Sequence, residues 1–200
     1  FAKWNAIIFA INVLPQYEYM GRGKPPANVA DFKGMRLRAL GGMGRSAKAM
    51  GAVPTTVPAS EVYNAIARGT VDAVGFPFTY AFSAYKVDEV AEWYTTNMSL
   101  GTVNCPIVFN QDSYAKLPEQ YKALLEELKA PSSAIQQQAY AKKDKENLMA
   151  WPKKMKAITI EPAAMDEFRK LGGVPLWTDW VNENKDDFDA DSLLKLVLKT

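Results

Sequence analysis

The sequence predicts an α/β fold built on an open, mostly parallel sheet with helices packed on its faces. Three observations carry that expectation. From residue 35 onward, short apolar runs of strand character alternate with segments of helical spacing. Glycines fall where those segments should stop. A chain of 200 residues with 48% hydrophobic content can bury one sizeable core or two small ones.

The elements follow in order. The opening FAKWNAIIFAINVLP holds an apolar run far short of the roughly 18 to 20 residues that span a bilayer. It lacks a signal peptide's basic start and small-residue cleavage site, and no initiator Met precedes it, so the chain reads as a mature or truncated piece. Met35 to Leu40 is expected as a strand, Gly42 to Met50 as a short helix closed by Gly51, and Val53 to Val57 as another strand. Ser60 is placed to cap a helix running to Arg68, which Gly69 stops. TVDAVGF, Thr70 to Phe76, returns to strand until Pro77 breaks it. Phe82, Tyr85, Val90 and Trp93 give Phe78 to Trp93 a helical spacing, and apolar runs follow at Tyr94 to Leu100 and Val103 to Phe109. LPEQYKALLEELKA is an amphipathic helix with Pro118 near its first turn. Pro131 to Trp151 is expected as a longer, polar helix lying over a surface, with Ala134, Ile135, Ala139, Leu148 and Trp151 as its contacts. Ala157 to Glu161 reads as a short strand, and the remainder from Pro162 as helical, punctuated by Gly172 and Gly173. The charged stretch from Asn182 to Asp191 reads as a solvated helix end and cap.

Composition excludes several classes of function. A net charge of +2 leaves no electrostatic footprint for nucleic acid or an anionic membrane. The absence of histidine removes Ser-His-Asp and Cys-His nucleophile systems and His-ligated zinc. Cys105 is the single cysteine, so no intramolecular disulfide or cysteine metal cluster can form; it is expected as a small buried hydrophobe. No acidic spacing suits an oxygen-only metal site, and no cofactor is expected. GGMGRS lacks both the GKS/T ending of a phosphate loop and the GxGxxG spacing of a dinucleotide fold, which leaves Arg45 and Lys48 as solvent-facing helix residues.

FKGMRLRALGGMGRS places two arginines on one face of a strand that runs into a double glycine. Ligands of open parallel sheets bind beyond the carboxyl ends of the strands. Arg38 stands at that end and Arg36 a full pleat earlier, so Arg38 is the one placed to reach a cleft, with Gly41 and Gly42 letting backbone approach a ligand. A guanidinium there suits a carboxylate held by two parallel hydrogen bonds. The residues alone equally allow a surface arginine bonded to backbone carbonyls.

The strings DFKGMRLRA, AMGAVPTTVPASEVYNAIARGTVDAV, FP and AYKVDEVAEWYT, with the later PIVFNQDSYAKLPEQYKALLEE, closely resemble the solute-binding proteins of TRAP transporters, the DctP-like family. The likeness runs from about Asp31 to Glu127 and more loosely to the end. It implies a periplasmic binding protein-like fold (type II-like): two lobes joined by hinge strands and a long helix that spans both, without the N-terminal part of the first lobe. On that pattern residues 1–103 are mostly the second lobe with a crossing strand at the start. Residues 104–130 return to the first lobe, 131–151 span, and 152–200 pack on the second. The implied function is an extracytoplasmic, periplasmic receptor, not an enzyme, that captures an organic acid and delivers it to a membrane permease, with a signal peptide upstream. The family's carboxylate-binding arginine maps onto Arg38, which favours the clamp.

Departures from the family pattern bear on the solute. Phe76 stands where many members have an asparagine before proline, and Ala59 where an aromatic is frequent. Glu18 stands where members that take sialic-acid-type solutes have a second arginine. These changes favour a bulkier, less hydroxylated acid, aromatic acids included, contacted by Phe76, Phe78 and Tyr80; Phe78 and Tyr80 equally suit the domain's own core, whereas the strand end of Phe76 is expected to point at the cleft. Two other readings remain open: an enzyme for a phosphorylated substrate on a similar sheet, and the ligand-sensing domain of a transcription regulator.

Overall fold

Strands β1 (Ala6–Val13) and β2 (Tyr17–Gly21) precede the alternating region of this computed structural model, which describes residues 1–199. The alternation then forms β3 (Arg36–Arg38), α1 (Gly41–Ala49), β4 (Val53–Thr55), α2 (Val62–Ala67) and β5 (Ala73–Pro77). After these come α3 (Tyr80–Ala84), β6 (Trp93–Thr95), β7 (Asn104–Asn110), α4 (Gln111–Ala115), α5 (Glu119–Ala150), β8 (Lys156–Ile158), α6 (Pro162–Gly172), α7 (Val174–Asn184) and α8 (Ala190–Val197).

Six strands join in the order β4-β3-β5-β2-β6-β8. β3 lies parallel to β4 and β5, β6 lies parallel to β8, and β2 is antiparallel to both β5 and β6. β2 therefore runs against the other strands of this sheet, and its first residue, Tyr17, opposes Pro77 at the carboxyl end of β5. Pleating divides the core in two. Tyr19, Leu37, Ala73 and Trp93 face Ala47 and Met50 near α1 and Met165 and Phe168 of α6. Met20, Val74, Phe76 and Tyr94 face Val62 and Ile66 of α2, Phe82 of α3 and Trp151. The sheet thus has a helical layer on each side, as the βαβαβ succession predicts.

Several local expectations change. Ser60 lies in a 3-10 turn, Ala59–Glu61, and α2 begins after it without a side-chain cap. Phe78 to Trp93 is not one helix. α3 stops at Ala84, Lys86 adopts a left-handed φ of 56°, and Trp93 enters β6. Burial explains the last change: Trp93 packs so tightly against Gly21 that a β-carbon there would lie 2.6 Å from the indole. The two helices expected on either side of Pro131 are one helix of 32 residues. Proline removes a single intrahelical N–H, and the turns on either side propagate past it. Ile135 and Leu148 lie exposed, whereas Trp151, just past the helix, is fully buried.

β1 and β7 form a separate antiparallel pair, from Ala6 opposite Asn110 to Val13 opposite Asn104. Cys105 is exposed there, which corrects the expectation of a buried thiol. A two-stranded sheet offers little cover, and Ile8, Ile11, Val13, Ile107 and Val108 are exposed with it. At the other end of the chain, α6 packs on α1, α7 touches both, and Arg45 pairs with Glu183 at 2.8 Å. Asp189 caps α8 through the Ser192 amide, as the charged stretch suggests.

Trp151 contacts Phe78, Phe82 and Tyr94, and its Nε1 donates to Asp88 at 3.0 Å. Trp151→Ala is expected to lower the unfolding free energy by about 3–5 kcal/mol, measured by urea denaturation.

Candidate functional site

The two arginines of β3 have opposite fates. Arg36 is exposed and forms an ion pair with Asp72, whose carboxylate also accepts from the Arg36 amide at 2.7 Å. The pair holds the Asp72 carboxyl below its usual range and raises the guanidinium in turn. Arg38 is 5% exposed. Its Nε donates to the Val57 carbonyl at 3.1 Å and its Nη1 to the Gly75 carbonyl at 3.0 Å. Its carbon centre sits 4.5 Å from the Phe76 ring centroid, a cation–π contact. Arg38 opposes Val74 in register and Phe76 lies two residues on, so both side chains leave the same face of the sheet.

No carboxylate among the described residues pairs with Arg38, and neither carbonyl bond uses Nη2. Burial pushes this guanidinium below its usual value, opposed by the phenols of Tyr17 and Tyr85. Tyr17 is itself buried and raised by burial, with Arg38 pulling the other way. The site is thus a buried cation at the carboxyl end of its strand, framed by two carbonyls and one ring face, with two phenols within electrostatic reach.

Phe76 is 4% exposed, stacked on Tyr85 with centroids 5.2 Å apart and edge-on to Phe82. Its ring is therefore a platform under Arg38 set into the core. Phe78 is half-buried against Tyr94 and Trp151. Tyr80 is half-buried and stacks on Tyr140 of α5, 4.5 Å apart and within 9° of parallel. Burial raises the Tyr80 phenol, and Tyr140, Tyr17 and Cys105 add to the rise. Gly41 and Gly42 are exposed at the start of α1, with open space where a β-carbon on either would lie; the φ of +53° at Gly41 explains glycine there.

Sequence reasoning missed Tyr17, Tyr85 and Tyr140. For Tyr140 a signal existed. Tyr140, Asp144, Asn147 and Trp151 recur at helical spacing, and all four turn toward the segment after β5. Asp144 accepts from the Thr79 amide at 3.1 Å and hydroxyl at 2.8 Å, and Asn147 donates to Thr79 Oγ1 and Ser83 Oγ. Gln136, one turn earlier, donates to the Tyr140 hydroxyl at 2.8 Å.

Glu18 is buried beside this region and accepts from Thr95 Oγ1 and from the amides of Met98 and Ser99. A surface depression of about 420 Å³ bounded by Arg22, Arg68, Asp72 and Glu92 does not include Arg38. No group of three or more metal-ligating side chains gathers among the described residues. No described helix is long and apolar enough to cross a membrane.

Residues 18–182 match the family model DctP, bacterial extracellular solute-binding protein, family 7, and the chain belongs to that family. A solute-binding protein of Albidiferax ferrireducens is 27% identical over 171 residues, covering 82% of this chain and 49% of its own length. The chain thus spans about half the length of that curated relative. A TRAP periplasmic solute-binding protein from Rhodoferax ferrireducens with bound malonate superposes with a TM-score of 0.82 at 21% identity, covering 99% of this chain and 62% of that one. A second from the same species, in complex with copurified benzoate, gives 0.84 at 21% identity, covering 95% and 61%. The α/β binding-protein fold expected from the sequence is therefore the observed one.

Burial raises the Glu18 carboxyl, against the pull of its Thr95, Ser99 and Met98 hydrogen bonds. The stabilisation from protonating it is fully present below the ordinary glutamate value and is lost as pH rises through the higher folded value. In unfolding free energy plotted against pH, that falling step is expected for the native chain and should vanish in Glu18→Gln.

Proposed function

We propose that this chain carries the anion-anchoring part of an extracytoplasmic, periplasmic receptor for a TRAP-type transporter. The receptor binds an organic acid on Arg38 without chemical turnover and hands it to the membrane permease. The observation that carries the reading is the buried guanidinium of Arg38, which no described carboxylate neutralises. An unpaired buried charge is costly, by several kcal/mol for a typical ion, and two carbonyls and a ring face offset this only in part. A carboxylate accepting from Nη2 completes the balance.

In this reading residues 1–103 are mostly one lobe, 104–130 return to the other, 131–151 span the two, and 152–200 pack on the first of these. Closure of the lobes around the acid supplies the form the permease recognises. Phe76 orients the guanidinium, Phe78 and Tyr80 offer aromatic surface to a bulky acid, and Gly41 and Gly42 keep the rim open. The malonate and benzoate held by the two Rhodoferax relatives support a carboxylate as the shared recognition element.

The test is calorimetric titration of the intact protein with benzoate and malonate, alongside mass spectrometry of small molecules released on denaturation. A released carboxylic acid is expected. Arg38→Ala should weaken binding of that acid by about 2–5 kcal/mol, the range for removing one partner of a buried charge pair. Arg38→Lys should recover only part of it, since an ammonium lacks the fork. Unchanged affinity in Arg38→Ala would overturn the clamp.

A further inference from the structure

We infer that Tyr140, delivered by the long helix α5, is a specificity-determining residue: with Tyr80 it forms the wall that selects acids carrying a flat ring. The inference rests on the carboxylate-binding reading above and names the chemistry at the other end of the solute.

Three observations converge. The Tyr80 and Tyr140 rings lie parallel, 9° apart in plane at 4.5 Å, and both remain half-buried rather than sealed in the core. Tyr80 lies four residues beyond Phe76, the ring under the Arg38 guanidinium, and Phe76 stacks in turn on Tyr85, just past the short helix that Tyr80 begins. The paired rings therefore stand on the segment that leaves the guanidinium. Finally, hydrogen bonds hold Tyr140 and the residue next to its ring partner. Gln136 donates to its hydroxyl, and Asp144 and Asn147 bind Thr79, the neighbour of Tyr80. A ring fixed in this way presents a rigid π-face at little entropic cost, and such faces prefer offset-stacked or edge-on aromatic partners.

The wall itself is built from ring surface, with the Gln136 amide on the Tyr140 hydroxyl as its polar contact, so the class selected is an aromatic monocarboxylate.

The experiment titrates the intact protein with benzoate, cyclohexanecarboxylate and malonate, for the native chain, Tyr140→Leu and Tyr140→Phe. Benzoate is expected to bind about tenfold more tightly than cyclohexanecarboxylate, which matches it in charge and size without a π-face. Tyr140→Leu should bring that ratio close to one, and Tyr140→Phe should keep it. A ratio near one in the native chain overturns the inference and leaves the Arg38 clamp standing. So does equal loss for both ring acids in Tyr140→Leu, the mark of a merely structural residue, and so does tighter binding of malonate than of benzoate. Loss of all acid binding in Arg38→Ala identifies the clamp independently. Failure of every acid to bind the native chain overturns the clamp and the inference together.

Discussion

A cation held inside the protein by backbone carbonyls organises this molecule. Arg38 bonds Val57 and Gly75, which lie beyond β4 and within β5, the two strands flanking its own. One side chain therefore ties three neighbouring chain segments at the end of the sheet where ligands of open α/β folds collect. The arrangement works only because the acceptors are carbonyl dipoles and a ring quadrupole. They hold the guanidinium in place without cancelling its charge, which no described carboxylate neutralises.

Around that cation the chain builds in aromatic surface instead of further charge. Phe76 is wedged between core and guanidinium, Tyr17 arrives from the reversed strand β2, and α5 contributes Tyr140 from far along the sequence. The helix reaches the site with one face, and that face changes character along its length. Trp151 is sunk in the core, Asn147 and Asp144 make a polar seam to Thr79 and Ser83, and Tyr140 meets a half-open ring. Burial thus falls along the helix from Trp151 toward Tyr140, which leaves the freer side chains beside Tyr80.

Much of this was legible in the residues. Alternating periodicity marked the strands and helices around the sheet, and the position of Arg38 before a double glycine separated it from Arg36. The contrast between the two arginines then followed from one neighbour: Asp72 takes Arg36 out to solvent, and nothing equivalent exists for Arg38 among the described residues. What the sequence hid was non-local. Trp93 has helical spacing from Phe82 and Tyr85, but the close approach of Gly21 draws it into a strand. Pro131 reads as a boundary, yet the loss of one hydrogen bond does not stop a helix of 32 residues. Cysteine is usually buried, but that tendency says nothing about a strand with a single partner, as β7 has. Tyr17 carries no local mark either, because only the pairing of β2 with β5 brings its phenol within electrostatic reach of Arg38.

The open position of Cys105 has a practical consequence. As the single thiol of the chain, reachable from solvent and within the electrostatic reach of Tyr17 and Tyr80, it accepts one maleimide dye at one known place. This stretch of chain therefore carries its own attachment point for a fluorescent reporter on β7, and no engineered cysteine is needed there.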